Sequence, residues 1–194
     1  MTKMGLAVLA VAGMAQAALG STWQLDADHS AAEFGVKHMM VSTVKGQFSK
    51  VAGTVSLDEK DPTQSKVEAT IDATTVDTRN PKRDAHLKSK DFFDVAKFPR
   101  ITFKSTSVKQ VSKDHFQVAG NLTIHGVTRP VTLDTEVTEP AKDPWGNTRR
   151  GLHATTKIQR EDYGLKWNQA LEAGGVLVGS DVSITIDGEM IQKS

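Results

Sequence analysis

The sequence predicts an all-β fold, an antiparallel barrel of about eight strands with one or two short helices. Three observations carry that expectation. Apolar and polar residues alternate with a period of two along most of the chain. Compact turn signals separate the alternating runs. No stretch has both the length and the periodicity that a layer of helices needs.

Residues 45–57 form the first long run, and Asp61-Pro62 divides it from residues 65–75. There Val67, Ala69, Ile71 and Ala73 alternate with Lys66, Glu68, Thr70 and Asp72. Ser112-Lys113-Asp114 joins residues 102–111 to residues 115–124 as a hairpin, and His125-Gly126-Val127-Thr128 leads on to residues 129–137. A longer loop, residues 140–147, precedes Leu152, Ala154, Thr156 and Ile158. Val182, Ile184 and Ile186 mark the last strand. Connections this short favour antiparallel neighbours, because parallel pairs need long crossovers. Helical candidates are residues 38–43, 81–90 and 166–173, the second favoured by Pro81 at a first-turn position after Asn80.

Such strands close as a sandwich or as a barrel. A strand of about 11 residues spans ~36 Å, and a tilt of ~40° makes a barrel roughly 28 Å tall. The inward set is light: Ala69, Ala73, Val118, Gly120, Ala154 and Val182, with rings from Phe34, Phe48, Phe103 and Phe116. It is consistent both with a narrow apolar tunnel and with a filled barrel, since core and pocket share one alternation.

The 194-residue length suits one domain. With 24 basic and 23 acidic residues the net charge is +1, so there is no basic excess for nucleic acid and no polybasic run for an anionic membrane. Lys3, an apolar stretch from Met4 to Met14, and Ala15-Gln16-Ala17 read as a signal peptide over residues 1–17. The mature domain is then 18–194, with equal numbers of basic and acidic residues and no transmembrane segment. The chain has no cysteine, which excludes disulfides, thiolate nucleophiles and cysteine-based zinc sites.

Several segments carry a resemblance. They are Trp23 to Asp26, Asp28-His29-Ser30, Phe34-Gly35-Val36-Lys37-His38-Met39 and Val44-Lys45-Gly46-Gln47-Phe48. Val76-Asp77-Thr78 leads to Arg83-Asp84-Ala85-His86-Leu87-Lys88-Ser89-Lys90-Asp91-Phe92-Phe93-Asp94. Phe98-Pro99, Ile101-Thr102-Phe103, Gly120 to Thr128, Arg160 to Leu165 and Val182 to Glu189 complete the set. In this order and spacing the chain resembles the YceI-like family of bacterial polyisoprenoid-binding proteins. The resemblance implies a lipocalin-like barrel in the periplasm, binding a polyisoprenoid, an isoprenoid quinone or another long amphiphile. It implies no cofactor and no defined catalytic activity, and a homodimer is compatible with it.

On that reading the tunnel lining comprises Phe34, Val36, Phe48, Ile71, Phe103, Leu122, Ile124, Ile158 and Ile184, each equally readable as plain core. The 83–94 segment brings Arg83, His86, Lys88 and Lys90 near Phe92 and Phe93. It reads either as a lid, with rings on the lipid and cations on a polar head, or as a plug with solvated charges.

The histidines, at 29, 38, 86, 115, 125 and 153, show no HxxxH pair, and no metal site is expected. Asp28-His29-Ser30 holds the residue types of a hydrolase, but strand neighbours point to opposite faces. No GxSxG elbow, Walker motif or Rossmann glycine pattern occurs. Two other readings stand beside lipid binding. One is an enzyme on such a lipid that uses His29, His86 or His125; the other is a partner of a membrane quinone-redox complex.

Overall fold

The computed structural model describes residues 20–172 and 174–193, so the expected signal peptide lies outside the described residues. Twelve strand segments appear among them. They are β1 (Gly20–Leu25), β2 (Ala31–His38), β3 (Ser42–Phe48), β4 (Val51–Asp58), β5 (Lys66–Asp72) and β6 (Val76–Asp77). After a helix, α1 (Pro81–Lys88), come β7 (Arg100–Gln110), β8 (His115–Ile124), β9 (Val127–Val137), β10 (Ala141–Lys142), β11 (Thr148–Gln159) and β12 (Val178–Lys193).

The barrel closes through eight of these, in the cyclic order β1, β4, β5, β7, β8, β9, β11, β12. Every pairing is antiparallel. The shorter segments are halves of long bent strands. β1 and β2 together run along β4 and β3, from Gly20 opposite Asp58 to His38 opposite Ser42. β5 and β6 follow the same course on β4 and β3. The run expected over residues 45–57 is therefore broken at Ser49-Lys50. β7 carries a bulge, since Ser105 faces Gly120 and Ser107 faces Ala119, which leaves Thr106 unopposed.

Turn chemistry explains the tight corners. His125 (φ 51°) and Gly126 (φ 74°) make the two-residue connection from β8 to β9, and glycine suits its left-handed backbone. Asn80 caps α1 by accepting the Arg83 N–H at 3.1 Å, and Pro81 occupies the first turn, where a missing N–H does no harm. The other two helical candidates are not helices. Residues 39–41 are a hairpin turn with Met39 and Met40 left-handed. Residues 166–172 are irregular, tied by a bridge between Ala170 and Val176, and Ala173 is not among the described residues. Both stretches are far shorter than the roughly 12–15 residues that a helix needs to stand on its own, and strand pairing and backbone bonds hold them in other conformations.

The barrel has two unlike ends. The upper end carries the β2–β3 turn, α1 with the segment that follows it, and residues 160–177. The lower end carries both ends of the described chain and the loops before β5, β8 and β11. Near the upper end β9 and β11 separate, because they pair only from Leu152–Val137 to Thr155–Asp134. A 3-10 turn, Arg160–Tyr163, fills that gap, and Arg129 Nε donates to the Asp162 carbonyl at 3.1 Å across it.

Candidate functional site

The inward faces decide between a filled and a hollow barrel. Ala32, Ala73, Val118 and Ala154 are fully buried in the wall. Phe34, Val67, Ile71, Val182, Ile184 and Ile186 pack against the buried core, are only half-buried, and border an interior hollow. The space they leave is a cavity of about 410 Å³. That is within the roughly 300–1,000 Å³ range of small-molecule sites. Gly120 lets the Phe103 ring lie close against the wall, since a Cβ there would sit 2.4 Å from Phe103 Cζ.

Its wall is aliphatic and aromatic nearly throughout. All thirteen side chains singled out from the sequence touch it: Phe34, Val36, Phe48, Ile71, Arg83, His86, Phe92, Phe93, Phe103, Leu122, Ile124, Ile158 and Ile184. The strands supply most of them by alternation, while α1 and its sequel supply the upper wall. Two aromatic groups stand there. Phe48 packs on Phe34 (5.7 Å between centroids) and edge-on to Phe93 (5.6 Å). Nearer the rim, His86 meets Phe92 at 5.0 Å and Trp167 at 4.7 Å, and Phe92 meets Trp167 at 5.4 Å.

Arg83 is largely committed within the protein. Its Nε donates to Thr78 Oγ1 at 2.7 Å and its Nη2 to the Thr78 carbonyl at 2.9 Å. Thr78 in turn is gripped by Asp84, which accepts from the backbone N–H at 2.9 Å and from the hydroxyl at 2.6 Å. The guanidinium thus fixes α1 over the barrel. Lys90 points outward, exposed, and Lys88 is half-buried.

Sequence reasoning passed over Trp167, Arg160 and several lower wall residues such as Leu57, Val137 and Leu152. The last group follows the same alternation and was legible in principle. Trp167 lies in irregular chain with no period to mark it. Arg160 is 3% exposed. It donates to the carbonyls of Gly179 and Trp167 at 2.9 Å each, of Val178 at 3.3 Å, and of Leu165, and pairs with Glu161 at 3.0 Å. Such a cradle satisfies a buried cation and ties residues 164–179 to the upper rim.

The histidines take separate places. His86 alone of the candidates His29, His86 and His125 is on the cavity wall, with Nε2 held at 3.0 Å from Asp91. His125 meets the Phe98 ring at 4.7 Å. His29 bonds Asp26 at 3.0 Å rather than Ser30. Asp26, His29 and Glu189 lie within metal-ligand reach of one another among the described residues. Both carboxylates, however, are already held by Arg149, whose Nη1 is 2.6 Å from Asp26 and 2.8 Å from Glu189. The same guanidinium holds Asp143 at 2.8 Å. This guanidinium, with His29, pulls the Asp26 pKa down to about 2. The lower end is further sealed by Trp23, 2% exposed, with the Arg150 guanidinium 5.2 Å from its ring centre.

Residues 23–190 match the YceI-like domain. The chain belongs to the YceI-like family. A UPF0312 protein of Yersinia enterocolitica is 40% identical over 166 residues, covering 84% of this chain and 86% of that one. The crystal structure of Burkholderia cenocepacia BcnA superimposes with a TM-score of 0.74 at 22% identity, over 85% of this chain and 98% of the other. A polyisoprenoid binding domain from Saccharophagus degradans superimposes with a TM-score of 0.68 at 18% identity, over 88% and 98%. These likenesses bear out the expected family and the closed eight-stranded barrel. No helix among the described residues is long and apolar enough to cross a membrane.

Proposed function

We propose that this YceI-like protein holds a long apolar chain, of a polyisoprenoid, an isoprenoid quinone or a fatty-chain lipid, in the barrel interior, and that it does so in the periplasm after export. The observation that carries the reading is the cavity of about 410 Å³ running between the half-buried inward side chains, with an apolar wall. Burying one CH₂ group is worth ~0.8 kcal/mol, so a five-carbon isoprene unit gains ~4 kcal/mol before the loss of its freedom is subtracted. A thin branched chain recovers this gain without polar anchors. The fold shared with a protein described as a polyisoprenoid binding domain supports the same ligand class. Export is supported by the pattern of residues 1–17.

Binding without turnover is the form of activity proposed. On the cavity wall His86 is engaged with Asp91, and Arg83 with Thr78. Native mass spectrometry of the purified protein, followed by organic extraction, tests the reading. The expected result is a stoichiometric apolar adduct whose mass is unchanged after prolonged incubation. No adduct from cells, and none after adding prenols, quinones or fatty amides, refutes it. A steady change in ligand mass favours an enzyme instead.

A further inference from the structure

Water and backbone geometry both disfavour the residues at the tip of the β2–β3 hairpin. Met39, Met40 and Val41 are 44%, 65% and 83% exposed. Met39 (φ 51°) and Met40 (φ 60°) are both left-handed, and the Val41 N–H donates to the His38 carbonyl at 3.0 Å. This is a type I′ turn, for which Asn-Gly is the ordinary choice. A left-handed backbone strains a non-glycine residue, and methionine has no short polar group to relieve it. Val176 stands beside the tip, because Val178 pairs with His38 and the Met39 N–H donates to the Leu177 carbonyl at 2.8 Å. Met39, Met40, Val41 and Val176 are most of the large apolar side chains exposed among the described residues; Val111 and Trp145 lie in lower loops.

The tip adjoins the cavity, whose wall reaches His38, Leu177 and Val178 at this rim. It is convex and small, far from the roughly 20–30 residues a side of a stable protein interface. Flexible methionines suit a surface without fixed shape. Cations flank it: Lys37 and Lys45, exposed on the outer face of the same hairpin, form no ion pair among the described residues, unlike Lys104, Lys113 and Lys157. Glu33 lies further from the tip on that strand, and Asp181 on β12 is held by Lys157 at 2.5 Å.

We propose that this tip enters the headgroup region of an anionic lipid bilayer and sets the upper rim of the barrel against the membrane. Its use, to take up or return the apolar chain, rests on the lipid-holding role proposed above; the docking itself needs no ligand. Apolar side chains reach the acyl boundary while the lysines meet anionic headgroups.

Flotation of the purified protein with vesicles tests it, using phosphatidylcholine alone and phosphatidylcholine mixed with phosphatidylglycerol. The key variant is Met39→Asn with Met40→Gly, which gives the turn its preferred residues. It is expected to fold with an equal or higher Tm, yet to lose vesicle binding by about tenfold or more. Met40→Asp should lose binding as well. The unmutated protein should float best with the anionic mixture and less at high salt. Equal flotation of the double variant, or no flotation of the unmutated protein on either vesicle, overturns the proposal. So does self-association in sedimentation that the variant abolishes while vesicles bind neither protein. Ligand supplied in detergent should load both proteins alike. Vesicle binding without any ligand loading would refute the carrier role and still support docking.

Discussion

The two ends of this barrel are held by different physics. At the lower end Trp23 is buried beneath Arg150, and Arg149 gathers Asp26, Asp143 and Glu189. At the upper end the covering pieces are a short helix, the half-buried Trp167, and a loop tied to the rim through Arg160. The lower end is packed and ion-paired into one arrangement. The upper end is made of short segments attached at a few points, and Met39, Met40, Val41 and Val176 are exposed there among charged neighbours such as Lys37, Lys90 and Lys97. The two ends thus differ in how they are held, and the proposed uptake of an apolar chain would use the more loosely tied upper one.

The widest expected gap between the ends comes from their tryptophans. Trp23→Ala should destabilise the protein by about 3–5 kcal/mol, because a full aromatic side chain leaves a sealed site. Trp167→Ala should cost much less stability and should speed ligand release. Denaturant unfolding and dissociation rates measured on both variants check this. Equal destabilisation would erase the distinction.

Arg160→Leu should rank next. Several backbone carbonyls lose their buried donor, at about 1–3 kcal/mol for each one that water cannot reach. Amide hydrogen exchange should then rise over residues 164–179 and leave the Trp23 region protected. Uniform loss of protection would mean that the loop and barrel unfold as one.

Acid should act on the lower end. Asp26, lowered to about 2 from an ordinary 3.8, contributes stability above the ordinary carboxylate pKa that is lost as pH falls through about 2. Asp143 is lowered by the same arginine and loses its contribution in strong acid. In Arg149→Gln the acid unfolding midpoint should therefore move to higher pH. An unchanged midpoint would assign acid stability elsewhere.

Alkali offers a smaller effect at the upper end. Burial raises the Tyr163 pKa to about 12, so native stability should fall as pH rises from about 10 to 12. Tyr163 is the only tyrosine in the chain, so absorbance reads its ionisation directly. A native midpoint near 10 would mean that the phenol is solvated.

Strand alternation made most of this architecture legible. Val67, Ala69 and Ile71, or Val118, Gly120 and Leu122, declare one inward face, and Asn80-Pro81 declares a helix start. What alternation cannot contain is volume. Ile184 obeys one rule whether its neighbours across the axis touch it or leave room, so filled and hollow barrels read alike. The thirteen residues singled out lie on the cavity wall; their contact with a ligand is a separate matter, for binding measurements. Tertiary contacts account for what was missed. Trp167 gains its place from α1, Arg160 from four carbonyls of residues 165–179, and Met39-Met40 from strand pairing that forces a turn on residues with no preference for it.

Calorimetric titration with prenols of increasing length, on the unmutated protein and on Val182→Trp, asks most directly whether the hollow interior takes an apolar chain. Affinity should climb with each added isoprene unit until the hollow is full, with a negative heat-capacity change, and should collapse in the variant, whose added ring fills that space. Affinity that ignores chain length, or that survives the filled interior, would place the ligand outside the barrel.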